Sequence, residues 1–523
     1  ALAKPHQIQP YPATRCGGSL ITVMNKGFAS NNITVSGPLF DDDSVARELE
    51  LIAGETKTIQ WQSPNGELFS LELPHTVYPP REDTDFMAKN LIKIGPGKRR
   101  KCLELGIGSG VLSLLCHRQG WDVSACDINP IAVACARQFL RSNSAKEVQV
   151  REGGIGPEYD GKPIQWSPSK KYDLIFWNMP YLKLEDDSQA HLGPLEEAAL
   201  IDTSKTSLVY LTIKNIKRLE LLKKSGTVML TVGEHLDEDE LIDICAKFGF
   251  AGRIVDELIF ADGERLKLLT LWHPFARHPT ICKDVVTSTN SELLAGNWPV
   301  GSSLSARRQT NGRGRYDREW VNAADLLACS WKLPLSKILS PGATQIIIGY
   351  LVKQSLESIQ TTDDKARVIL KWPNDLIILS NERWGKVCGV LLESVSIGND
   401  TTMVAGIGVN ISQGNQKIDY DFDIAFADWC SDDLTADYVQ MQLHCRIASL
   451  FEAHGEIPPA NFSAIKISAF NAIKDGFNSS SRVLYRNDPV KFSHLNDDGS
   501  VALIDSEDTL TSITEGEVLE WSF

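Results

Sequence analysis

Lys371-Trp372-Pro373-Asn374-Asp375 puts an ammonium, an amide and a carboxylate into five consecutive residues. The cluster ends one β-type run, Arg367-Val368-Ile369-Leu370, and opens another, Leu376-Ile377-Ile378-Leu379. With Pro373 fixing the backbone between them, these side chains have the chemistry to hold a triphosphate and its magnesium. A hairpin turn with Lys371 and Asp375 in water is the plainer reading. Two neighbouring stretches weigh against it. Upstream, Gln309-Thr310-Asn311-Gly312-Arg313-Gly314-Arg315 is a loop whose backbone amides and guanidinium forks suit a phosphate or carboxylate. Downstream, Lys386 and Gly389 lead into Val390-Leu391-Leu392-Glu393, and then comes Gly406-Ile407-Gly408-Val409-Asn410.

A second constellation lies far ahead of this one. The strand-like Cys102-Leu103-Glu104-Leu105 runs into Gly106-Ile107-Gly108-Ser109-Gly110 and then a helical pattern, and a second strand ends at Asp127. Glycines at 106, 108 and 110 let the backbone approach a ligand closely, and a carboxylate about twenty positions on can accept both ribose hydroxyls. A nicotinamide dinucleotide is the rival ligand, although Val111 stands where that fingerprint has glycine. The strand Tyr172 to Trp177 then leads to Asn178-Met179-Pro180-Tyr181. An amide or exocyclic amine nitrogen is a poor nucleophile because its lone pair is delocalised. Two carbonyl acceptors, the Asn178 side chain and a following backbone C=O, would hold its N–H bonds and aim the lone pair at a methyl donor. Tyr181 can stack on the planar group.

The later set, in this order, resembles the catalytic domain of biotin-protein ligases of the BirA type, over roughly residues 281 to 523. That resemblance implies ATP, biotin and Mg2+ as ligands. In the implied reaction, biotin carboxylate attacks the α-phosphate of ATP, and a lysine of a carboxyl-carrier acceptor domain then takes the acyl group. It gives Lys371, Lys386 and Arg313 catalytic roles and places Gln309, Gly312, Gly314, Arg315, Asn374 and Gly389 around the ligands, with Asp375 on the metal. Ser288-Thr289-Asn290 opens a helix, with Ser288 an N-cap by type. By resemblance, the triplet also meets the ureido group of biotin. Lipoate ligases share the fold and are disfavoured by the two motifs occurring together. The loop departs from the family pattern at Tyr316-Asp317-Arg318-Glu319-Trp320, where Asp317 replaces a common glycine.

The earlier set resembles class I methyltransferases that use S-adenosylmethionine, over roughly residues 75 to 272. Pro80 to Thr84, Glu104 to Gly110, Cys126 to Pro130 and Asn178 to Tyr181 look most like the HemK group, which methylates a glutamine amide of release factors. The resemblance implies donor binding by Gly106, Gly108, Gly110, Asp127 and Thr84, and acceptor binding by Asn178 and Tyr181. Thr84 is also a candidate N-cap. The segment Gly153 to Pro168 is expected to close over the adenine. The second position of the tetrapeptide is usually proline, and here it is Met179, which does not lock φ. A docking or cofactor-sensing module without catalysis, and a methyltransferase of biotin synthesis, are the alternatives for this half.

These residues must be positioned by more than one core. At 523 residues with 42% hydrophobic content, two or more domains are expected. The expected fold class is α/β multidomain: a β-rich extension over 1–66, a Rossmann-like methyltransferase over 67–272, and a linker over 273–280. After these come an α+β ligase domain over 281–474 and a small SH3-like β barrel over 475–523. Eleven cysteines with no CxxC spacing read as reduced thiols of an intracellular, cytoplasmic protein. No apolar run approaches the roughly 18 residues of a membrane helix. The net charge of −14 argues against a dedicated nucleic-acid binder. The winged DNA-binding domain of some bacterial ligases is not expected, the methyltransferase standing in its place.

Overall fold

The computed structural model describes residues 56–154, 171–181, 207–317, 320, 325–334, 339–360, 366–380, 383–397, 400–413 and 423–523. The strands expected before residue 56, most of the segment expected to close over the adenine, and the Asp317 side chain lie outside the described residues.

The front half opens with an antiparallel hairpin, β1 (Lys57–Gln62) and β2 (Leu68–Leu73), which runs across the boundary expected at residue 66. Its alternating face buries Trp61, Phe69, Leu71 and Leu73 in the same cluster as residues of helix α1 (Glu82–Lys93). Trp61 donates its indole N–H to Asp85 of that helix at 2.7 Å. A seven-stranded sheet follows, built from β3 (Lys101–Leu105), β4 (Asp122–Asp127), β5 (Gln149–Glu152), β6 (Tyr172–Trp177), β7 (Leu222–Gly233), β8 (Ala251–Ile259) and β9 (Arg265–Trp272). Its order is β5-β4-β3-β6-β7-β9-β8, parallel from β5 to β7. β9 runs antiparallel to both of its neighbours. The chain moves outward from β3 on one side and from β6 on the other, so a crevice opens between the carboxyl ends of those two strands.

Helices α2 (Val111–Arg118), α3 (Pro130–Ser142), α4 (Leu208–Arg218) and α5 (Glu238–Lys247) accompany the sheet. Local chemistry sets two of their starts. Asn129 accepts the N–H groups of Ile131 and Ala132 with Pro130 in the first turn of α3, and Asp237 accepts the Glu240 N–H at the start of α5.

The back half is a second seven-stranded sheet, of β10 (Thr280–Val286), β11 (Ser303–Gln309), β12 (Asp325–Leu333), β13 (Arg367–Lys371), β14 (Asp375–Ser380), β15 (Arg383–Ile397) and β16 (Asp400–Ser412). The order is β10-β11-β12-β16-β15-β14-β13, antiparallel apart from β10 with β11. Its helices are α6 (Thr289–Ala295), α7 (Pro341–Glu357), α8 (Ala436–Phe451) and α9 (Phe462–Ser479). Among the described residues, no helix is long and apolar enough to cross a membrane. The chain ends in two three-stranded antiparallel sheets. One joins β17 (Arg482–Tyr485), β18 (Asp488–Pro489) and β22 (Leu519–Ser522), the other β19 (Lys491–Leu495), β20 (Val501–Ile504) and β21 (Leu510–Ile513). Trp372 ties this region to the large sheet by donating to the Gly499 carbonyl at 2.9 Å.

Residues 273–280 read as a linker from their prolines, and the structure packs them between the halves. Phe275 is buried, and its N–H reaches the Glu452 carboxylate at 2.7 Å. Ala251, Trp272 and Phe275 belong to the same apolar cluster as Trp331, Ile347 and Leu443 of the back half. Helix α8 is the shared wall. Arg253 donates to the Ser449, Glu452 and Pro458 carbonyls, and the fully buried Arg446 reaches back to Asp243. Burying these cations is tolerable because most of their donors meet carbonyls and a carboxylate, while Arg446 Nε has no acceptor among the described residues.

Candidate active sites

In the back half, Ser288, Thr289, Asn290, Gln309, Arg313, Gly314, Arg315, Lys371, Asn374, Asp375, Lys386 and Gly389 all line one cavity of about 410 Å³. Gly312 sits just outside that lining, its carbonyl accepting the Trp320 N–H at 2.9 Å. The hairpin of β13 and β14 brings Lys371 opposite Asp375, and the pairing of β14 with β15 sets Asp375 opposite Gly389. Gly389 in turn faces Gly408 on β16, while Leu391 faces Gly406 two residues further along. That offset separates two ends of the cavity.

Charge is concentrated at the Gly389 end. Lys386 Nζ lies 2.7 Å from Asp375 Oδ1 and 5.5 Å from the Trp320 ring centroid. Burial holds the Lys371 ammonium below the usual lysine range, with Asp375 opposing that shift. Arg315 Nη1 is 3.7 Å from Glu517, which enters from the turn before β22. That distance is too long for a hydrogen bond, and Arg315 Nη1 and Trp320 Nε1 are both buried with no acceptor among the described residues. Buried donors left open are rare in folded chains, and two on the lining of one cavity mark a place that a ligand completes.

The Gly406 end presents hydroxyls and amides and is already ordered. The Ser330 hydroxyl of β12 is 2.7 Å from Thr289 Oγ1 and 2.6 Å from Asn290 Oδ1, while Gln309 Oε1 accepts the Thr289 N–H at 2.8 Å. Asn290 donates to Glu393 at 2.7 Å, and the same carboxylate meets Arg313 Nη2 at 3.3 Å. Gly406 is required here, because a Cβ on it would lie 2.3 Å from Asn290 Oδ1. Ser288 occupies the cap position of α6, but its side chain makes no capping bond. Asn374 donates its amide to the Val390 carbonyl at 3.1 Å, so it braces β15.

A magnesium site needs oxygen donors. Asp375 is the carboxylate beside Lys386, and no cluster of three metal-ligating side chains occurs among the described residues. That donor set fits a cation carried in by phosphates and does not make a cage of its own.

In the front half, Gly106, Gly108 and Gly110 take φ of 65°, 49° and 85° in the turn after β3. Asp127 closes the adjacent strand and accepts the Gly108 and Asn129 N–H groups, both at 2.9 Å. Burial nonetheless raises its carboxyl above the ordinary range. Ile128 beside it is 61% exposed, an apolar face available to an aromatic ring. Across the crevice, β6 ends just before Asn178. The Asn178 Nδ2 donates to the buried Asp83 at 2.9 Å, and its Oδ1 accepts from the Thr231 hydroxyl at 3.1 Å. Tyr181 stacks on Phe260, centroids 6.0 Å apart and planes within 15°.

Thr84 departs from the expected cap. Arg81 is the N-cap of α1, and Thr84, three residues in, accepts the Arg81 N–H at 3.3 Å. Its hydroxyl is therefore engaged in a capping box. Sequence reasoning gave no role to Asp83, Thr231, Ser330 or Glu517. Asp83 falls within the Pro80 to Thr84 motif without standing out there, and Thr231, Ser330 and Glu517 reach their partners only through the folding of distant segments.

Residues 81–199 match the family described as methyltransferase small domain, and residues 282–410 match the biotin/lipoate A/B protein ligase family. A protein of Methanocaldococcus jannaschii, provisionally named a protein N5-glutamine methyltransferase, is 28% identical over 207 residues, which are 39% of this chain and 96% of that one. A biotin–[acetyl-CoA-carboxylase] ligase of Paracoccus denitrificans is 36% identical over 129 residues, or 24% of this chain. The chain spans about half of that ligase, 51% of its length. Among solved structures, a biotin protein ligase from Aquifex aeolicus in complex with biotin and ATP aligns with 47% of this chain and 99% of its own, at 24% identity and a TM-score of 0.35. The front half is thus similar in sequence to glutamine methyltransferases and the back half to biotin ligases.

Proposed function

We propose that this chain is a bifunctional enzyme, a biotin-protein ligase fused behind an S-adenosylmethionine-dependent methyltransferase of a planar nitrogen. The observation that carries the ligase reading is the convergence of two motifs distant in sequence, Lys371 to Asp375 and Gln309 to Arg315, on a single cavity.

In this reading the hydroxyl and amide end, from Ser288 to Asn290 with Gln309, receives the ureido ring, whose donors and acceptor match those groups. At the charged end, Arg315 and Lys386 hold the carboxylate and α-phosphate, with Arg313 reaching towards them from the Gly406 end where Glu393 holds it, while Lys371 meets the outer phosphates. A carboxylate oxygen then bonds to the α-phosphorus as the bond to pyrophosphate breaks. Two anions are brought together in that step, so the cations around them lower its barrier directly. The neutral acceptor lysine amine next bonds to the acyl carbon as the acyl carbon–oxygen bond to AMP breaks, and the nitrogen loses a proton to solvent. Asp375 would hold phosphate-borne magnesium, which supplies charge neutralisation on the leaving pyrophosphate. A carboxyl-carrier domain as acceptor, a cytoplasmic setting, and closure of the C-terminal sheets as an SH3-like barrel belong to the same proposal.

At the front, Gly106 to Gly110 and Asp127 would hold the methyl donor. Asn178 Oδ1 and a following backbone carbonyl would hold the acceptor nitrogen, a glutamine amide such as that of a release factor. The nitrogen bonds to the methyl carbon as the carbon–sulfur bond breaks, and the nitrogen loses a proton to solvent.

Two assays test the two halves separately. Labelled biotin should enter a carboxyl-carrier domain only with ATP present, and labelled methyl should enter a glutamine-bearing release-factor fragment. No incorporation in the first assay sinks the ligase reading, and none in the second sinks the methyltransferase reading.

A further inference from the structure

Asn178 and Met179 lean on one side chain from the neighbouring strand. Thr231 of β7 is fully buried, and its Oγ1 accepts the Met179 N–H at 2.7 Å. Thr231 has one hydroxyl proton to give, and its Oγ1 lies closer to Asn178 Oδ1, at 3.1 Å, than to the Trp177 carbonyl, at 3.5 Å. Parallel pairing of β6 with β7, which sets Trp177 opposite Leu230, brings these residues together. A single hydroxyl therefore serves as acceptor for the backbone after β6 and as donor to the side chain that precedes it.

The amide of Asn178 is fixed from its other end as well. Asp83 is buried and accepts from Nδ2 at 2.9 Å. Flipping the amide would set Oδ1 against that carboxylate and an N–H donor against the hydroxyl proton. With Nδ2 on Asp83 and one lone pair of Oδ1 on Thr231, the remaining lone pair of Oδ1 is the one available to an incoming N–H.

We infer that Thr231 is a positioning residue for methyl transfer, holding the Asn178 amide and the Met179 backbone in the one arrangement that presents a carbonyl oxygen to the acceptor nitrogen. The inference rests on the methyltransferase reading above. Thr231→Val keeps the shape of the side chain but removes both bonds, leaving the Met179 N–H orphaned in a buried place and the Asn178 amide held only by Asp83. Thr231→Ser keeps the hydroxyl and loses a methyl group.

The test measures methyl transfer to a glutamine-bearing peptide, together with S-adenosylmethionine affinity by calorimetry, on the full chain. Thr231→Val should lower kcat about tenfold with donor affinity unchanged, since losing an aligned bond of this kind costs on that order. Thr231→Ser should restore most of the parent rate, which a purely steric role would not. An unimpaired Thr231→Val, or a Thr231→Ser as slow as Thr231→Val, overturns the inference. Thr231→Ala takes the place of Thr231→Val should the latter fail to fold, with the same expected and overturning results. If the parent transfers no methyl group, the methyltransferase reading fails by that result alone, and hydrogen exchange decides the contact. The Met179 amide should then exchange about tenfold faster in Thr231→Val than in the parent or in Thr231→Ser, and equal rates overturn the role of Thr231.

Discussion

Trp272, on the last strand of the front half, donates its indole N–H across 2.8 Å to the Glu452 carboxylate just beyond α8. The Phe275 N–H meets the same oxygen, and His454 stacks on the Trp272 ring with centroids 5.1 Å apart. Burial alone would raise the Glu452 carboxyl, yet the His454 ring 3.9 Å away and the bonds from Phe275 and Trp272 hold it below its ordinary range. One carboxylate therefore anchors two N–H groups at the junction of the two halves. Glu452→Ala should orphan two buried N–H donors and cost about 2–5 kcal/mol of stability. Thermal unfolding of the full chain is the measurement, and an unchanged midpoint in the variant would deny Glu452 this role.

Gly406 admits a test of the ordered end of the back cavity. Its missing Cβ leaves room for Asn290 Oδ1, which would otherwise be met at 2.3 Å. Gly406→Ala should push Asn290 off both Ser330 and Glu393. A displaced Asn290 no longer presents its amide to the ureido ring, and one lost hydrogen bond to a ligand is worth about tenfold in affinity. Calorimetric titration with biotin should show that loss, and an unchanged affinity would deny Gly406 this role.

Much of the site was legible in sequence because its informative residues are near one another along the chain. Lys371, Asn374 and Asp375 fall within five residues, and the glycine turn after β3 announces itself through its spacing. What could not be read depends on strand order. Asp83 meets Asn178 across 95 positions, and nothing about Asp83 in its own helix sets it apart from Glu82 or Asp85. Glu517 reaches Arg315 only because the C-terminal sheets fold back over the large one. The junction escaped notice for a different reason. Arg446 lies in a helix whose pattern is that of any amphipathic helix and Glu452 just after it, and the partners that make their burial tolerable come from the other half. In the linker 273–280 nothing in sequence marks Phe275 as the apolar anchor that packs it.

Lys386 and Asp375 define the charged end, and the two substitutions should differ. Lys386→Ala removes a cation from the place where two anions must approach, so adenylation should fall about a hundredfold or more. Asp375→Asn leaves Lys386 in place and removes the metal-binding charge, so its defect should respond to raised magnesium. Pyrophosphate release with biotin and ATP, read before any acceptor is added, isolates that step. A Lys386→Ala chain that releases pyrophosphate as fast as the parent would remove Lys386 from the proposed chemistry.

Glu104 lies on the strand that carries the glycine turn, buried with the Ser113 hydroxyl donating to its carboxylate. Burial pushes its carboxyl up to about 8, and the Ser113 bond only partly opposes that. The unfolded chain releases this proton near 4.5, whereas the folded chain keeps it until about 8. Between those values the folded state binds the extra proton, so stability is greatest at the acid end of the window and declines as pH rises towards 8. Burial of the Asp127 carboxyl nearby works with the same sign. Glu104→Gln keeps an acceptor for Ser113 and removes the titration. Denaturant unfolding at a series of pH values should therefore show a shallower decline in the variant, with its largest advantage over the parent above pH 8. Parallel curves across the whole range would mean that Glu104 titrates in the folded chain as an ordinary carboxyl group does.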